Sequence, residues 1–517
     1  MLVIFKNCSI QNLVNDFIVL FNIKIENVWN LLKYKPGDPL LFNTSLFLIL
    51  FFFFLIVYNL FKNNKPARVF SLIVFSFYFY YLSAGYFTAI LIVSAVINFF
   101  FGKWIASTEN FSKKRILLVI TLILNLALLG YFKYTNFLLQ AISDLRGSEF
   151  SPLQIFLPIG ISFYTFKALT YIFDIYYDTL KPTKNFFDFV LYLSFFPNVL
   201  MGPIDRAADF LPQIDKKPFI SKDDLGKATF LICSGLLKTV ILSSYLEDNF
   251  IGRIFEFPLR YTGVENLFAI YAYAIRLYCD FSGYTDLAIG ISLFLGFKIM
   301  DNFNSPFKAT SIADFWRRWH ISLSKWLLDY LFKPIQISLR SWRNFGNMIA
   351  LVVTFFVCGL WHGAGWNFIL WGLYFGVLMS IALFLQKSKE KLYKALKIHN
   401  TKFLRFFQIL ITFHFIAFSF LLFRLNDLQF VKDMLSQIFN FFHGEVAIQF
   451  VEKMPLIFGL IVIGFVSHFF PVKIEAAIKR SITALPLAGK IILLALVIWI
   501  VAQFKSADIQ PFIYFQF

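Results

Sequence analysis

Apolar runs long enough to cross a membrane recur along this chain, and they restrict its fold more than any other feature. Of the 517 residues, 59% are hydrophobic, and about 20 consecutive apolar residues allow a helix to cross the hydrocarbon layer. Clear runs cover residues 41–61, 67–83 and 86–105, and a short turn at Ala84 and Gly85 separates the last two. From the number of such runs we predict an all-α, polytopic membrane protein with about 11–13 membrane helices.

The net charge of +18 is carried largely by Lys and Arg residues in short loops between the apolar runs. Cations confined to such loops follow the positive-inside rule, so we exclude nucleic acid as a partner. The rule places segments 298–343 and 387–405 in the cytoplasm, and it places the loop at 144–149 and the C-terminal tail outside. We therefore predict a multi-pass protein of the cytoplasmic (inner) membrane with an external C-terminus.

The apolar pattern shows neither a soluble module nor an internal repeat. We divide the chain into an N-terminal amphipathic segment, residues 1–40, and a single membrane domain, residues 41–517. Within the first segment, residues 8–33 form either an interfacial helix or a weak first span.

Three apolar segments contain residues that interrupt helices. A kink is predicted near Gly160 in a helix over 153–177. The segment 186–204, which contains prolines and a glycine, is predicted to be re-entrant or buried. A helical pattern over 264–298 is interrupted by the polar run Asp280–Asp286. The number of crossings in this part of the chain therefore stays open.

Two histidines, each directly preceded by a tryptophan, are the main candidates for chemistry. The segment 311–330 begins with a capping box and predicts an amphipathic helix with His320 on its tryptophan-rich face. His362 lies in the apolar run 347–386, between two cytoplasmic segments, which predicts a hairpin with its apex at Gly363–Gly365. An ionisable side chain inside a membrane is costly, so it usually has a function.

Two buried imidazoles suit acyl transfer. One accepts the proton of an attacking hydroxyl, while the other orients a group or stabilises charge on the acyl carbonyl. Burial favours the neutral imidazole, which is the form that acts as a base. No cluster supplies a third ligand, so we predict no metal site. The other four histidines have no comparable setting and receive no role: His399, His414, His443 and His468.

Four motifs together resemble the membrane-bound O-acyltransferase (MBOAT) family. They are Cys279–Gly290, Asn302–Phe307, Asp314–His320 and Trp361–Gly363. The resemblance covers most of the chain from about residue 40 onward. Within the family it points to the bacterial branch that O-acetylates alginate, peptidoglycan and other exported polysaccharides. The teichoic-acid D-alanylation transporter is a nearer relative of this pattern than the eukaryotic lipid acyltransferases.

The resemblance implies a fold, a reaction and two catalytic residues. The implied fold is a ring of tilted helices around a central acyl-transfer tunnel, where a cytoplasmic and an external funnel meet. His362 matches the invariant catalytic histidine of the family, and His320 matches the second histidine of the bacterial branch. The acyl group would come from a cytoplasmic thioester co-substrate, acetyl-CoA or a phosphopantetheine carrier, with no bound cofactor. An acceptor outside would receive it.

We assign substrate contacts to Arg317, Arg318, Asn304 and Trp361. The two arginines would guide the phosphorylated arm of the donor to the inner funnel. The alternative is that these arginines, together with Lys325, bind lipid phosphates at the cytoplasmic leaflet.

The C-terminal tail, Pro511–Phe517, is aromatic and carries no charged side chain. One interpretation is an aromatic anchor at the membrane surface. The other follows from its similarity to an aromatic C-terminal signature of acyl-export systems, which implies that Tyr514 is a third catalytic residue and carries the acyl group. A phenol with a pKa of ~10 is a better leaving group than a sugar hydroxyl.

The predicted function is O-acetyl transfer to an exported cell-envelope polysaccharide, with a periplasmic or extracellular acetyltransferase as partner. Three alternatives stay open. They are D-alanyl transfer to a teichoic-acid-like polymer, a polysaccharide transporter, and a non-catalytic scaffold in which both histidines are structural.

Overall fold

The computed structural model describes residues 30–425 and 427–504. All regular structure in this part of the chain is helical, which confirms the all-α class. Most of the predicted segment 1–40 and the tail with Tyr514 lie outside the described residues, so the domain division and the tail hypothesis stay predictions.

The described chain consists of a series of α-helices. In order they are α1 (Ser45–Phe61), α2 (Lys65–Ala84), α3 (Thr88–Ser107), α4 (Phe111–Arg146), α5 (Ile161–Tyr176), α6 (Phe186–Ser194), α7 (Phe196–Val199), α8 (Ala207–Asp215), α9 (Lys222–Leu236), α10 (Gly252–Glu256), α11 (Gly263–Phe294), α12 (Ile312–Trp316), α13 (Ile321–Leu327), α14 (Lys333–Ser338), α15 (Arg343–His362), α16 (Trp366–Phe384), α17 (Gln386–Ala395), α18 (Lys402–Arg424), α19 (Leu428–Asn440), α20 (Val446–Lys453), α21 (Pro455–Phe469), α22 (Val472–Ala484) and α23 (Leu487–Phe504). π-Helical turns cover Leu237–Tyr245, Glu247–Ile251 and Leu328–Phe332, and 3-10 turns cover Gly85–Phe87, Pro258–Arg260, Pro306–Lys308 and Arg340–Trp342.

Seven helical stretches of residues 30–425 and 427–504 are long and apolar enough to cross a membrane, or eight if the bent pair α20 and α21 forms one span. They are Lys65–Ser107, Phe111–Arg146, Lys222–Glu256, Arg340–His362, Trp366–Phe384, Lys402–Arg424 and Leu487–Phe504. A multi-pass membrane protein is thereby confirmed. Length and apolarity identify seven or eight stretches in the described residues, where the sequence predicts about 11–13 membrane helices. The arrangement of these helices around a tunnel stays a prediction.

Particular helices explain why seven or eight stretches are identified and not about 11–13. The stretch Lys65–Ser107 contains two 20-residue helices, α2 and α3, and is counted once although each is long enough to cross. Helices α1 and α5 are short, with 17 and 16 residues. Helix α11 has 32 residues but contains Arg276, Asp280 and Asp286.

The predicted interruption of α11 at Asp280–Asp286 was wrong, because the helix continues through these residues. Its polar groups are accommodated by a neighbouring span. Asp286 accepts a hydrogen bond from Lys238, at 2.7 Å. A side chain at Gly235 would lie 2.7 Å from the carbonyl oxygen of Gly283, so glycines let the two helices pack closely.

The predicted kink near Gly160 was also wrong, because α5 begins only at Ile161. Gly160 has a φ of +80°, and a Cβ atom there would lie 2.3 Å from the carbonyl oxygen of Val199. A left-handed conformation and this close approach both require glycine. The segment that approaches here, 186–204, forms the short helices α6 and α7 and is largely buried, as the sequence indicates.

The hairpin that carries the second histidine is confirmed. Helix α15 ends at His362, and α16 begins at Trp366 after a short loop. The two helices pack in close contact, since a Cβ atom at Gly359 would lie 2.3 Å from the carbonyl oxygen of Phe368. Small residues at such interfaces allow membrane helices to approach closely.

The predicted continuous helix over 311–330 was wrong, although its start was right. The side chain of Ser311 accepts the amide hydrogen of Asp314, at 3.1 Å, and caps α12. That helix ends at Trp316, and α13 begins at Ile321. The chain between them is a turn.

A neighbouring loop causes this break by bonding to the turn. The amide of Ile321 donates to the carbonyl oxygen of Asn302, at 2.9 Å, and the amide of Asn304 donates to the carbonyl oxygen of Arg318, at 2.9 Å. His320 takes a left-handed backbone conformation, with φ +44°. This conformation costs of order 1–3 kcal/mol for a residue other than glycine and is common at functional sites. The break thus sets the direction of the His320 side chain.

Candidate active site

The imidazole of His320 is held by the side chain of Asn302. Nδ1 of His320 lies 3.2 Å from Oδ1 of Asn302, and the same oxygen accepts the amide hydrogen and the hydroxyl of Ser322, at 3.0 and 2.9 Å. A backbone amide can only donate, so this atom of Asn302 is the carbonyl oxygen. Nδ1 of His320 must therefore carry the proton that it donates.

This hydrogen bond determines which nitrogen of His320 is available. In the neutral ring, a protonated Nδ1 leaves Nε2 with a free lone pair. Nε2 is buried and has no hydrogen-bond partner among the described residues. Burial lowers the pKa of His320, because desolvation disfavours the charged ring. His320 is thus a neutral imidazole that presents an acceptor nitrogen.

His362 is the last residue of α15 and is also buried. Aromatic rings surround its imidazole. Ring centroids lie 4.8 Å away for Trp361, 4.9 Å for Trp371 and 5.3 Å for Phe423. The last two rings meet the imidazole nearly edge to face, an arrangement that aromatic pairs favour.

The indole of Trp361 joins the two histidines. Its ring centroid lies 5.8 Å from that of His320 and 4.8 Å from that of His362. The two imidazoles are therefore separated by no more than the sum of these distances. The ring of Phe281 packs edge to face against the imidazole of His320, with 4.7 Å between the ring centroids. The structure thus brings together two residues that are 42 positions apart in sequence, and their catalytic role stays a prediction.

The other predicted site residues lie in different places. Trp361 is buried and contacts both histidine rings, whereas Arg317 and Asn304 are exposed. Arg318 forms an ion pair with Asp314, at 2.9 Å, and donates to the carbonyl oxygen of Asn304, at 3.3 Å. These contacts give Arg318 a structural role in the turn, so Arg317 is the freer cation for a donor. Tyr514 lies outside the described residues.

Sequence reasoning missed two side chains that hold the end of α15. Lys133 Nζ donates to the carbonyl oxygens of Trp361 and His362, at 2.5 and 3.0 Å. The hydroxyl of Tyr134 donates to the carbonyl oxygen of Leu360, at 2.6 Å. A single lysine inside the apolar run of α4 was the signal available in the sequence, since such a charge is costly in a membrane.

A buried ion network that joins α11, α18 and the π-helical turn Glu247–Ile251 was also missed. Arg424 donates to Glu247, at 2.6 Å, and Arg276 lies 3.4 Å from the other oxygen of the same carboxylate. Arg424 directly follows Phe423, which contacts His362. Residues so far apart in sequence give no pattern from which this network could be inferred. Breaking such a buried pair by removing one partner typically costs about 3–5 kcal/mol.

His468 received no role from the sequence, but it supports the loop that holds His320. Its Nε2 accepts the amide hydrogen of Phe307, at 3.0 Å. Lys308 donates to the carbonyl oxygen of Phe470, at 2.8 Å. The loop that begins at Asn302 is therefore tied to the end of α21. Within the described chain, no group of three or more His, Cys, Asp or Glu residues is placed to hold a metal ion.

Comparison with known proteins identifies the family of this chain. The MBOAT, membrane-bound O-acyltransferase family, matches residues 117–426, a segment that contains both histidines. The chain is 33% identical to the peptidoglycan O-acetyltransferase of Helicobacter pylori over 75% of this chain and 78% of the relative. It is 34% identical to the probable alginate O-acetylase AlgI of Azotobacter vinelandii over 81% of each chain.

A third relative has a different name. The chain is 32% identical to the teichoic acid D-alanyltransferase of Bacillus subtilis over 51% of this chain and 68% of the relative. The family match, the relatives and the paired histidines agree. The chain is an acyltransferase and belongs to the membrane-bound O-acyltransferase family.

Proposed function

We propose that this protein is an O-acetyltransferase that passes an acetyl group across the cytoplasmic membrane for O-acetylation of an exported envelope polysaccharide. The proposal rests on two buried histidines whose rings contact one indole. The relatives that match most of the chain are named for peptidoglycan and alginate O-acetylation. The donor is a cytoplasmic thioester, acetyl-CoA or a phosphopantetheine carrier.

The reaction uses the pair as a proton acceptor. The hydroxyl of the acceptor adds to the thioester carbonyl, and its proton passes to an imidazole nitrogen. The C–S bond then breaks, the thiolate takes up that proton, and the products are an O-acetyl ester and a free thiol. Because Nε2 of neutral His320 is an acceptor, His320 receives a hydrogen bond from the hydroxyl and does not donate one to the carbonyl oxygen.

The charge that develops on the carbonyl oxygen needs a donor. The indole N–H of Trp361 is buried and has no acceptor in the described chain, so it is available for this role. A donor in a buried site stabilises such charge much more than it would in water. This role agrees with the assignment of Trp361 as a substrate contact.

We infer the side of the membrane on which each step occurs from the charges of the loops, and the packing of the hairpin supports this inference. The loop at 144–149 and the apex of the α15–α16 hairpin are both expected outside. In support, Asp144 and Gly365 line one cleft of about 440 Å³. The acceptor therefore approaches from the side of this cleft, and the donor approaches from the side of Arg317.

Single-cysteine labelling tests this orientation. In a background without Cys8, Cys233, Cys279 and Cys358, an impermeant reagent applied outside should label a cysteine at Glu445. The same reagent should not label a cysteine at Arg317, and labelling there would overturn the donor-side assignment.

We further propose that Tyr514 carries the acyl group towards a periplasmic or extracellular acetyltransferase. In this step the phenol gives its proton to an imidazole, its oxygen bonds to the acetyl carbon, the C–S bond breaks, and the thiolate leaves with that proton. The hydroxyl of the next acceptor then takes the acetyl group and returns its own proton to the phenol oxygen. Tyr514→Phe keeps the apolar bulk of an anchor and removes only the hydroxyl. The relay requires that this variant lose envelope acetylation, whereas normal acetylation identifies the tail as an anchor.

D-Alanyl transfer is the second candidate, because a teichoic acid D-alanyltransferase is 32% identical over 274 residues. Cells that express the protein should be supplied with labelled acetate or labelled D-alanine. We expect ester-bound acetate in the envelope polysaccharide. Ester-bound D-alanine that depends on His362 would instead favour the alternative, and no label in either form would favour a transporter or scaffold.

A further inference from the structure

A lysine inside a membrane-spanning helix lies against the end of the helix that carries His362. Lys133 belongs to α4, one of the stretches able to cross a membrane. A charged side chain at such a position is unfavourable unless it has partners. No ion pair involves Lys133 in the part of the chain that the structure describes. Its partners are carbonyl groups.

These carbonyls are the ones that a helix leaves without partners. The last four C=O groups of an α-helix have no intrahelical donor. Lys133 Nζ donates to Trp361 and His362, and the hydroxyl of Tyr134 donates to Leu360. Three consecutive carbonyls at the end of α15 are thus satisfied by two neighbouring residues of α4. A cation at this end is also attracted by the helix dipole.

The position of His362 depends on this contact for a geometric reason. His362 is the last helical residue, and Gly363 follows with an extended backbone. Terminal turns of helices fray readily. The hydrogen bonds from α4 prevent such fraying at His362, whose ring faces Trp371 and Phe423. A displacement of about 1 Å in a reacting group can cost 10²-fold in rate.

We propose that Lys133 is a positioning residue for His362, and that Tyr134 acts with it. Together they fix the end of α15 and so hold the His362 imidazole beside Trp361. The proposal rests on the proposed function, in which His362 takes part in acyl transfer. It adds a role that depends on the ammonium group of a residue in another helix.

The first test replaces each donor with a side chain of similar size. In inverted membrane vesicles supplied with acetyl-CoA, Lys133→Met should lower kcat for thiol release by about 10²-fold with little change in KM for acetyl-CoA. Tyr134→Phe should lower it several-fold. Lys113→Met, an exposed lysine of the same helix, is the matched control and should behave like the wild type.

Chemical rescue separates positioning from folding. Lys133 lines the cleft beside the hairpin apex, so a cysteine at this position is open to a small reagent. In the background without native cysteines, Lys133→Cys should show the same loss of about 10²-fold as Lys133→Met, and 2-bromoethylamine should restore most of the activity by creating a lysine analogue. Iodoacetamide, which adds a similar group without a cation, should not restore it.

Each outcome decides one claim. If His362→Ala abolishes thiol release while Lys133→Met retains at least half of the wild-type kcat, the positioning role is wrong and the proposed function stands. If His362→Ala is fully active, the proposed function fails first. If Lys133→Met does not accumulate in the membrane, Tyr134→Phe decides, and a wild-type kcat in that variant overturns the proposal.

Discussion

The two histidines contact the same indole, but different hydrogen bonds hold them. His320 is held through its ring, since Asn302 accepts from Nδ1. His362 is held through its backbone, since Lys133 donates to its carbonyl oxygen, and its ring lies among aromatic side chains. A ring hydrogen bond determines protonation and tautomer, whereas a backbone hydrogen bond determines location. Changes around His320 should therefore alter proton chemistry, and changes around His362 should alter geometry.

The largest effect that tests this comparison is the loss of the His320 imidazole. His320→Ala should lower acyl transfer by about 10²–10⁴-fold, as expected when a positioned proton acceptor is removed. Because the two rings act as one unit, adding His362→Ala should cause little further loss. The measurement is ester-bound acetate in the envelope at equal membrane levels of each variant. Fully additive losses would show that the two histidines act independently.

A smaller effect is expected when the partner of His320 is changed. Asn302→Leu removes the acceptor for Nδ1 and leaves the amide of Ser322 without its partner. Activity should fall by about 10-fold to 10²-fold, since a proton acceptor in the wrong tautomer is unavailable.

Asn302→Asp tests through the pH dependence of activity whether Asn302 acts on the protonation of His320. The carboxylate still accepts from Nδ1, but its charge favours the protonated ring and raises the pKa of His320. Only the neutral ring accepts a proton. As the pH falls, activity should therefore be lost at a higher pH than in the wild type, and the acid limb of the pH–rate profile should move to higher pH. A profile that coincides with that of the wild type would show that Asn302 does not act on the titrating group.

The smallest effect is expected at the exposed cation near the turn. Arg317→Gln should raise the KM for the thioester donor by roughly 2- to 5-fold, in line with the ~1 kcal/mol of an exposed ion pair, and leave kcat unchanged. Arg340→Gln, another exposed arginine of the segment 298–343 that is predicted to be cytoplasmic, is the matched control. An equal change in both variants would indicate a general membrane-surface effect.

The parts of this site that the sequence predicts are those encoded by local patterns. The apolar run around His362, its glycine-containing apex and the cap at Ser311 all lie within short stretches, and the structure has all three. The paired tryptophan–histidine motifs also identify the two histidines whose rings contact the same indole.

The parts that the sequence does not predict depend on contacts between distant segments. The helix over 311–330 is broken because the loop at Asn302 bonds to the turn at His320, a contact across 18 positions. The polar run in α11 does not break the helix, because Lys238 from another span pairs with Asp286. Lys133 meets its carbonyls across 228 positions. In a single sequence these partners are visible only as isolated polar residues, and the hydrophobic pattern does not indicate which residues they contact.

The most direct test of the central claim, that the histidine pair performs acyl transfer, is the ester-bound acetate of the envelope in cells that express His362→Ala in place of the wild-type protein. Acetate is released by mild alkali and quantified at matched membrane levels, and His443→Ala, an exposed loop histidine, serves as the control. We predict wild-type acetate for the control and at most about 1% for His362→Ala. Wild-type acetate in a membrane-inserted His362→Ala protein would contradict the account.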